Sequence, residues 1–225
     1  MPRFGFGLAA LVMLSFGMPA PANAQSFWSR GKPAEQGAGA FDFYVLSLSW
    51  SNTFCALTGK ARGARQCDGS NPGFVLHGLW PQNERGFPQD CGPDGRSPAR
   101  AAMARALEVF PEAGLARHEW RKHGTCSGLS PEAYFDAAAS ARARVMIPPG
   151  LQAPRVDAEM DVQAIERAFV AANPGLRADM LAVTCTRNQL EEVRVCLTKD
   201  LRAFRPCGEV NAKACRVRRV TVPAS

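Results

Sequence analysis

From Phe41 to Trp50 the chain reads FDFYVLSLSW, with Tyr44, Leu46 and Leu48 set against smaller or apolar partners. That period of two predicts a buried strand. A second apolar run, Phe74-Val75-Leu76, predicts a short strand leading into His77-Gly78-Leu79-Trp80-Pro81, where the proline is expected to stop regular structure. Residues 58–73 and 82–95, rich in Gly, Asp, Asn and Pro, read as loops. Ser97-Pro98 reads as an N-cap followed by proline at the first helical position, opening a helix to about Phe110. A short helix is expected over 117–124 with Gly124 as its stop. Ser130-Pro131-Glu132 starts another to about Val145, and 161–172 forms a fourth, closed by Asn173-Pro174-Gly175. Strands over 180–185, 192–197 and 218–222 complete the pattern. Strands at both ends with helices bunched between them predict an α+β fold, a single domain with a central antiparallel β-sheet packed by several helices.

Composition changes this picture at the N-terminus and at the cysteines. With 225 residues, 46% hydrophobic and 21% charged, the chain is no disordered tail, collagen-like fibre or coiled coil. Arg3, the uncharged apolar run Phe4 to Gly17 and the small-residue exit Ala22-Asn23-Ala24 read as a secretory signal over 1–24, cleaved after Ala24. The apolar run is shorter than a membrane span requires, so the mature form is expected to carry no membrane segment. Residues 25–40, rich in Gly, Ala, Pro and Ser, are expected to be a flexible leader, and 41–225 the folded domain. Removing 24 of the 225 residues leaves 201, enough for one sizeable core. All eight cysteines (Cys55, Cys67, Cys91, Cys126, Cys185, Cys196, Cys207 and Cys215) lie beyond the signal, and none forms a C-x-x-C pair. An even count in an exported chain predicts four disulfides and a periplasmic or extracellular location. No N-x-[ST] sequon is present, and the Ala/Arg-rich composition favours the bacterial periplasm. The formal charge of +7, or +6 once Arg3 is gone, suits a polyanionic partner and solubility equally.

The three histidines fall in two short segments, His77 in one, His118 and His123 in the other. On a helix, positions 118, 119, 122 and 123 lie at roughly 0°, 100°, 40° and 140°, so two imidazoles, the Glu119 carboxylate and the Lys122 ammonium share one face. Trp120 and Arg121 point elsewhere. A solvated charged face fits the same periodicity. A zinc pair fits poorly, because zincin histidines are four apart and these are five apart. Imidazoles poised near neutrality beside a Lys and a Glu supply what phosphoryl transfer needs: a base, an acid and cations for the charge that grows on the phosphorane oxygens. Where the attacking group is an adjacent 2′-hydroxyl, no metal-activated water is required.

Phe74-Val75-Leu76-His77-Gly78-Leu79-Trp80-Pro81 and His118-Glu119-Trp120-Arg121-Lys122-His123-Gly124-Thr125-Cys126 together resemble the two signature boxes of the ribonuclease T2 family, in order and separation. Residues 43–55 are similar to that family's first strand and early cysteine. The resemblance implies an endoribonuclease that cleaves single-stranded RNA by metal-free transesterification through a 2′,3′-cyclic phosphate. It implies His123 as general base, His77 as general acid, His118 as a phosphate ligand, Glu119 and Lys122 as supports of the pentacovalent intermediate, and Trp80 as a platform on which a base stacks. It further implies the pairs Cys91–Cys126, Cys55–Cys67 and, nested, Cys185–Cys215 around Cys196–Cys207. No cofactor, metal or obligate protein partner is expected, and the protein is expected to be monomeric. Gln82-Asn83-Glu84-Arg85 stands where many relatives carry an acidic residue or a cysteine near the base pocket, a departure that leaves base preference open but not the reaction; low or relaxed base specificity is expected.

Overall fold

The structure is a computed structural model that describes residues 1–2, 37–69, 73–92, 97–152 and 154–224. The chain divides into two compact units, Met1–Lys32 and Pro33–Ser225, and among the described residues every strand and helix belongs to the second. Beyond Met1 and Pro2, the expected signal segment and residues 25–36 of the expected leader lie outside the described residues. Gly39 is already tied to the fold, since its N–H donates to Cys126 O at 2.9 Å and Lys199 Nζ donates to its carbonyl at 2.7 Å.

Six strands form one sheet: β1 (Phe43–Trp50), β2 (Phe74–Gln82), β3 (Ala158–Asp161), β4 (Leu181–Thr186), β5 (Gln189–Thr198) and β6 (Arg219–Val222). Their order is β2-β1-β5-β6-β3, with β4 also paired to β5. Every pairing is antiparallel except a single parallel bridge, Gln189↔Thr221 between β5 and β6, so the sheet is mixed rather than purely antiparallel. The departure reflects connectivity: β6 returns to β5 after a long excursion and not through a hairpin, which frees its direction.

Strand β1 is buried on both faces, which is why its sequence is almost continuously apolar. Its even positions (Tyr44, Leu46, Leu48, Trp50) enter the main core with Val193, Val195 and Leu197 of β5. Phe43 and Val45 instead join a smaller cluster with Ala182, Cys196, Cys207 and Val210. Helix α1 (Ser51–Phe54) follows β1 directly; α2 (Arg100–Ala106), α3 (Ala113–Lys122), α4 (Pro131–Arg144) and α5 (Val162–Ala172) pack residues into the main core, while α6 (Gly208–Asn211) belongs to the C-terminal segment. The N-cap reading holds at Ser130, whose Oγ accepts from Ala133 N at 3.2 Å; Asp161, expected as the first residue of its helix, is instead the cap, its Oδ1 accepting from Ala164 N at 3.2 Å.

Several element boundaries differ from expectation. Strand β2 runs through Pro81 to Gln82, because β2 is an edge strand and a residue without an N–H is tolerated there. Helix α2 begins at Arg100, capped by Ala99 without a side-chain bond, and Pro98 is buried ahead of it. The expected 58–73 loop contains helical turns from Cys55 to Cys67, clasped at both ends by a disulfide.

The four disulfides join Cys55–Cys67, Cys91–Cys126, Cys185–Cys215 and Cys196–Cys207. Cys91–Cys126 fastens the loop after β2 to the turn after α3, where the Asp90 N–H also donates to Lys122 O at 2.8 Å. Replacing both Cys91 and Cys126 by serine, a bridge spanning 35 residues, is expected to lower unfolding free energy by about 3–4 kcal/mol through restored chain entropy; denaturant unfolding of the two proteins measures it.

Candidate active site

His77 sits at an irregularity. In the β1–β2 register Ser47 faces Gly78 and Leu48 faces Leu76, so His77 is an extra residue on β2 with no partner across. This is a β-bulge, and it shifts the phase of the strand. Phe74 and Leu76 enter the main core before the bulge and Leu79 enters it after, at an odd interval. His77 and Trp80, three residues apart, would fall on opposite faces of a regular strand. The bulge brings them to the same side, with ring centroids 5.3 Å apart.

The second segment arrives on α3, which buries Ala116, Glu119 and Trp120. The helix ends at Lys122. His123 lies just beyond it at φ −120°, ψ −44°, so its direction is set by the end of the helix and not by continued helical rotation. The next residue is Gly124 because a Cβ there would meet the Trp120 ring at 2.5 Å and Tyr134 at 3.0 Å. Tyr134 in turn donates its buried hydroxyl to Leu79 O at 3.0 Å, fixing α4 to β2 beside the site.

Together these segments enclose a cleft of ≈ 240 Å³. Its wall includes all six residues expected at the site: His77, Trp80, His118, Glu119, Lys122 and His123. Trp80 lies between the two principal imidazoles, with its ring centroid 5.3 Å from His77 and 5.3 Å from His123. Its indole N–H donates to Glu119 Oε2 at 2.7 Å, a contact that its expected role as a stacking platform did not anticipate. The glycine of the first box permits this: a Cβ on Gly78 would lie 2.1 Å from Glu119 Oε2 and 2.3 Å from Trp80 Nε1. Phe87, from the loop after β2, stands with its ring 6.3 Å from His123 and adds an exposed aromatic beside the half-buried Trp80.

Two site residues escaped the sequence reading, Glu192 and Arg194 of β5. They alternate with core-facing Val193 and Val195, and their cross-strand partners on β1 are Ser49 and Ser47. Those two small side chains leave room above β1 for His77 to reach across to β5. His77 Nδ1 hydrogen-bonds Glu192 Oε1, and Glu192 Oε2 accepts from both Arg194 Nε and Arg194 Nη2 at 2.7 Å. The Arg194 guanidinium lies 5.2 Å over the Trp80 ring. Charged residues spaced by two within a strand of valines were the available signal, and alone it reads as a solvated edge.

Electrostatically the groups are driven apart. Burial works against a charge on His77, but the hydrogen bond and charge of Glu192, aided by Glu119 whose Oε1 is 3.7 Å from Nε2, outweigh it and raise its basicity. Burial, with Lys122, His118 and His77 as like-charged neighbours, lowers His123 to about 3. The partial burial of His118 and the nearby Lys122 and Arg121 lower it too. Desolvation raises Glu119 to about 7 despite His77 and the Trp80 N–H, whereas His77 and Arg194 overcome the same burial at Glu192 and hold it near 2. One imidazole thus favours its charged form and the other its neutral form. On the far side of His77 a second pocket, ≈ 340 Å³, is lined by Ser49, Thr53, Gln66, Glu112 and Arg187 among others. Among the described residues no three His, Cys, Asp or Glu side chains converge as metal ligands would.

Fold and site define a disulfide-bonded α+β protein with a histidine–carboxylate cleft at the edge of its sheet. Residues 41–207 match the Ribonuclease T2 family, and the chain belongs to that family. It is 43% identical over 116 residues to a ribonuclease of Aeromonas hydrophila, covering 52% of each chain. It is 31% identical over 137 residues to ribonuclease I of Escherichia coli K12, covering 43% of this chain and 51% of that one. The chain thus spans about half the length of these curated relatives. Its fold is that of RNase NT, solved in complex with 5′-AMP, at a TM-score of 0.59 and 22% identity, over 82% of this chain and 99% of that one.

Replacing Gly78 by alanine is expected to force the Glu119 carboxylate off the indole at a cost of about 1–3 kcal/mol in stability. The Trp80 indole N–H resonance, shifted downfield by its carboxylate partner, should move upfield in the variant.

Proposed function

We propose that this protein is an endoribonuclease that cleaves single-stranded RNA by transesterification, leaving a 2′,3′-cyclic phosphate. The observation that carries this reading is the pair of oppositely tuned imidazoles, His77 and His123, lining one cleft with Lys122 and Glu119. His123, neutral at working pH, removes the 2′-hydroxyl proton. The 2′-oxygen attacks phosphorus, and the P–O5′ bond breaks as His77, protonated, delivers its proton to the departing 5′-oxygen. Lys122 and His118 stabilise charge on the non-bridging oxygens, and Glu119, whose basicity is raised close to neutrality, can hold or release a proton beside them. No step needs a cofactor or metal.

The arrangement of pockets supports an assignment of sides. The nucleoside bearing the 2′-hydroxyl lies by His123, with its base against Trp80 and Phe87, where stacking contributes about 1–3 kcal/mol with little base preference. The nucleoside that leaves with its 5′-oxygen lies on the other side of His77, in the pocket of Ser49, Thr53 and Gln66. Reading residues 1–24 as a signal removed after Ala24 places the enzyme in the periplasm or medium, in keeping with the four disulfides.

The rate should fall on the alkaline side as His77 loses its proton, at a pH above the ordinary histidine range. On the acid side it should fall only as His123 gains one, well below that range. His123→Ala should reduce turnover by roughly 10²–10⁴-fold, and chelators should leave the rate unchanged. Mass spectrometry of fragments from total RNA reads the end chemistry. Cyclic phosphate ends as first product are expected, and 3′-hydroxyl ends as first product would overturn the mechanism.

A further inference from the structure

The site holds a buried carboxylate that the proposed reaction does not use. Glu192 is 4% exposed and lies on β5, two strands away from β2, yet it is hydrogen-bonded to Nδ1 of His77 across the Ser47–Ser49 floor of β1. Its other oxygen is taken by Arg194 in a two-pronged pair. A carboxylate buried this deeply is costly unless its lone pairs are occupied by charged donors, and here they are. The bulge that lifts His77 out of register serves this contact as well as the cleft.

We infer that Glu192 is the positioning residue of the acid: it fixes the His77 ring with Nδ1–H turned to β5, so that Nε2 is the nitrogen presented to the cleft and the one that gives up its proton. The inference rests on the proposed transesterification for its kinetic consequences, but not for its structural ones. An imidazole has two nitrogens, and which one exchanges protons with substrate is decided by what the other is bonded to. Without Glu192 the ring has no fixed orientation, so either N–H of the imidazolium can face the cleft, and the neutral ring left after proton transfer is no longer held as the Nδ1–H tautomer. Arg194 acts one step further out, holding the carboxylate in the plane of the imidazole while its guanidinium covers Trp80. The charged and titratable groups facing His77 are therefore Glu192 and Arg194 from β5, Glu119 and His118 from α3, and His123 just beyond that helix. Of these, Glu192 is the one hydrogen-bonded to the ring.

Glu192→Gln is nearly isosteric, but it removes the charge and has one acceptor oxygen where the carboxylate has two, so it cannot serve Nδ1–H and Arg194 together. Two substrates separate its effects. RNA releases a 5′-alkoxide that needs a proton, whereas a uridine 3′-(4-nitrophenyl phosphate) releases a phenolate that does not. The expected result is a fall in kcat of roughly 10²-fold on RNA with KM little changed, an alkaline limb displaced to lower pH, and a loss of less than about threefold on the aryl ester. In a His77→Ala background Glu192→Gln should have no further effect, because the two act as one unit. Equal losses on both substrates, or an unmoved alkaline limb, would overturn the inference.

Nitrogen-15 NMR of the three histidines in the full chain gives an answer that does not depend on turnover. In the native protein neutral His77 should be the Nδ1–H tautomer, and its titration midpoint should drop in Glu192→Gln. An Nε2–H tautomer in the native protein, or an unchanged midpoint, overturns the inference even if RNA is cleaved as proposed. Should Glu192→Gln fail to fold, Arg194→Met, which removes a positive charge that lowers His77 and leaves Glu192 to the imidazole alone, must raise the His77 titration midpoint, and an unmoved or lowered midpoint counts against the assignment equally. A protein that yields no cyclic phosphate but shows the tautomer and the shift would sink the proposed reaction and leave this assignment standing.

Discussion

Two carboxylates, Glu119 at 1% exposure and Glu192 at 4%, are buried within reach of the same imidazole, and much of the surrounding structure answers that constraint. A buried carboxylate must either be met by donors or take up a proton. Glu192 meets the first condition with His77 and Arg194 and stays ionised, near 2. Glu119 has the Trp80 N–H at 2.7 Å and His77 only at 3.7 Å, and its basicity climbs to about 7. Identical side chains thus hold different protonation tendencies because one has a two-pronged cationic partner and the other does not. His77, standing between them, has its basicity raised by both.

That balance needs three elements brought to one place within a fraction of an ångström. Strand β2 supplies His77 and Trp80 on one side only because of the bulge, and it supplies Gly78 so that α3 can lay Glu119 over the strand. Strand β5 supplies Glu192 and Arg194 two residues apart on the face that β1 leaves open with Ser47 and Ser49. The remaining packing keeps these elements from drifting. Cys91–Cys126 and the Asp90–Lys122 backbone bond pin the end of α3, the Tyr134 hydroxyl pins α4 to Leu79, and Cys196–Cys207 brings the C-terminal segment over the small cluster of Phe43, Val45 and Val210.

The cations of the cleft complete the electrostatics. Lys122, Arg194 and Lys213 all line it, but Arg194 is committed to Glu192 and Lys213 is paired with Glu209 at 2.9 Å. Lys122 is the cation beside both His118 and His123, and its charge contributes to lowering the basicity of each. The same ammonium that would meet phosphate charge also helps keep a neutral imidazole available, so a single residue couples binding to base strength.

Local pattern was enough for the α+β class, most element positions, and the helix starts at Ser130 and Asp161, because a strand's alternation and a cap's side-chain bond are written within a few neighbouring residues. It was also enough to pick out His77, Trp80, His118, Glu119, Lys122 and His123 as candidates, since their two segments are short and resemble a known family. What pattern left open was everything settled by residues far apart in the chain. The bulge at His77 exists only against Ser47 and Leu48 of β1, so the odd interval between His77 and Trp80 had no meaning until the strands were paired. Glu192 becomes a partner of His77 across 115 positions of sequence, and its acidic neighbour Glu191 carries the same letter without the same role. Even the parallel bridge at Gln189 is a fact of where β6 returns. Side-chain type and local spacing name the groups that can exchange protons; which nitrogen faces which carboxylate is fixed only when separate strands are stacked and water is driven out from between them.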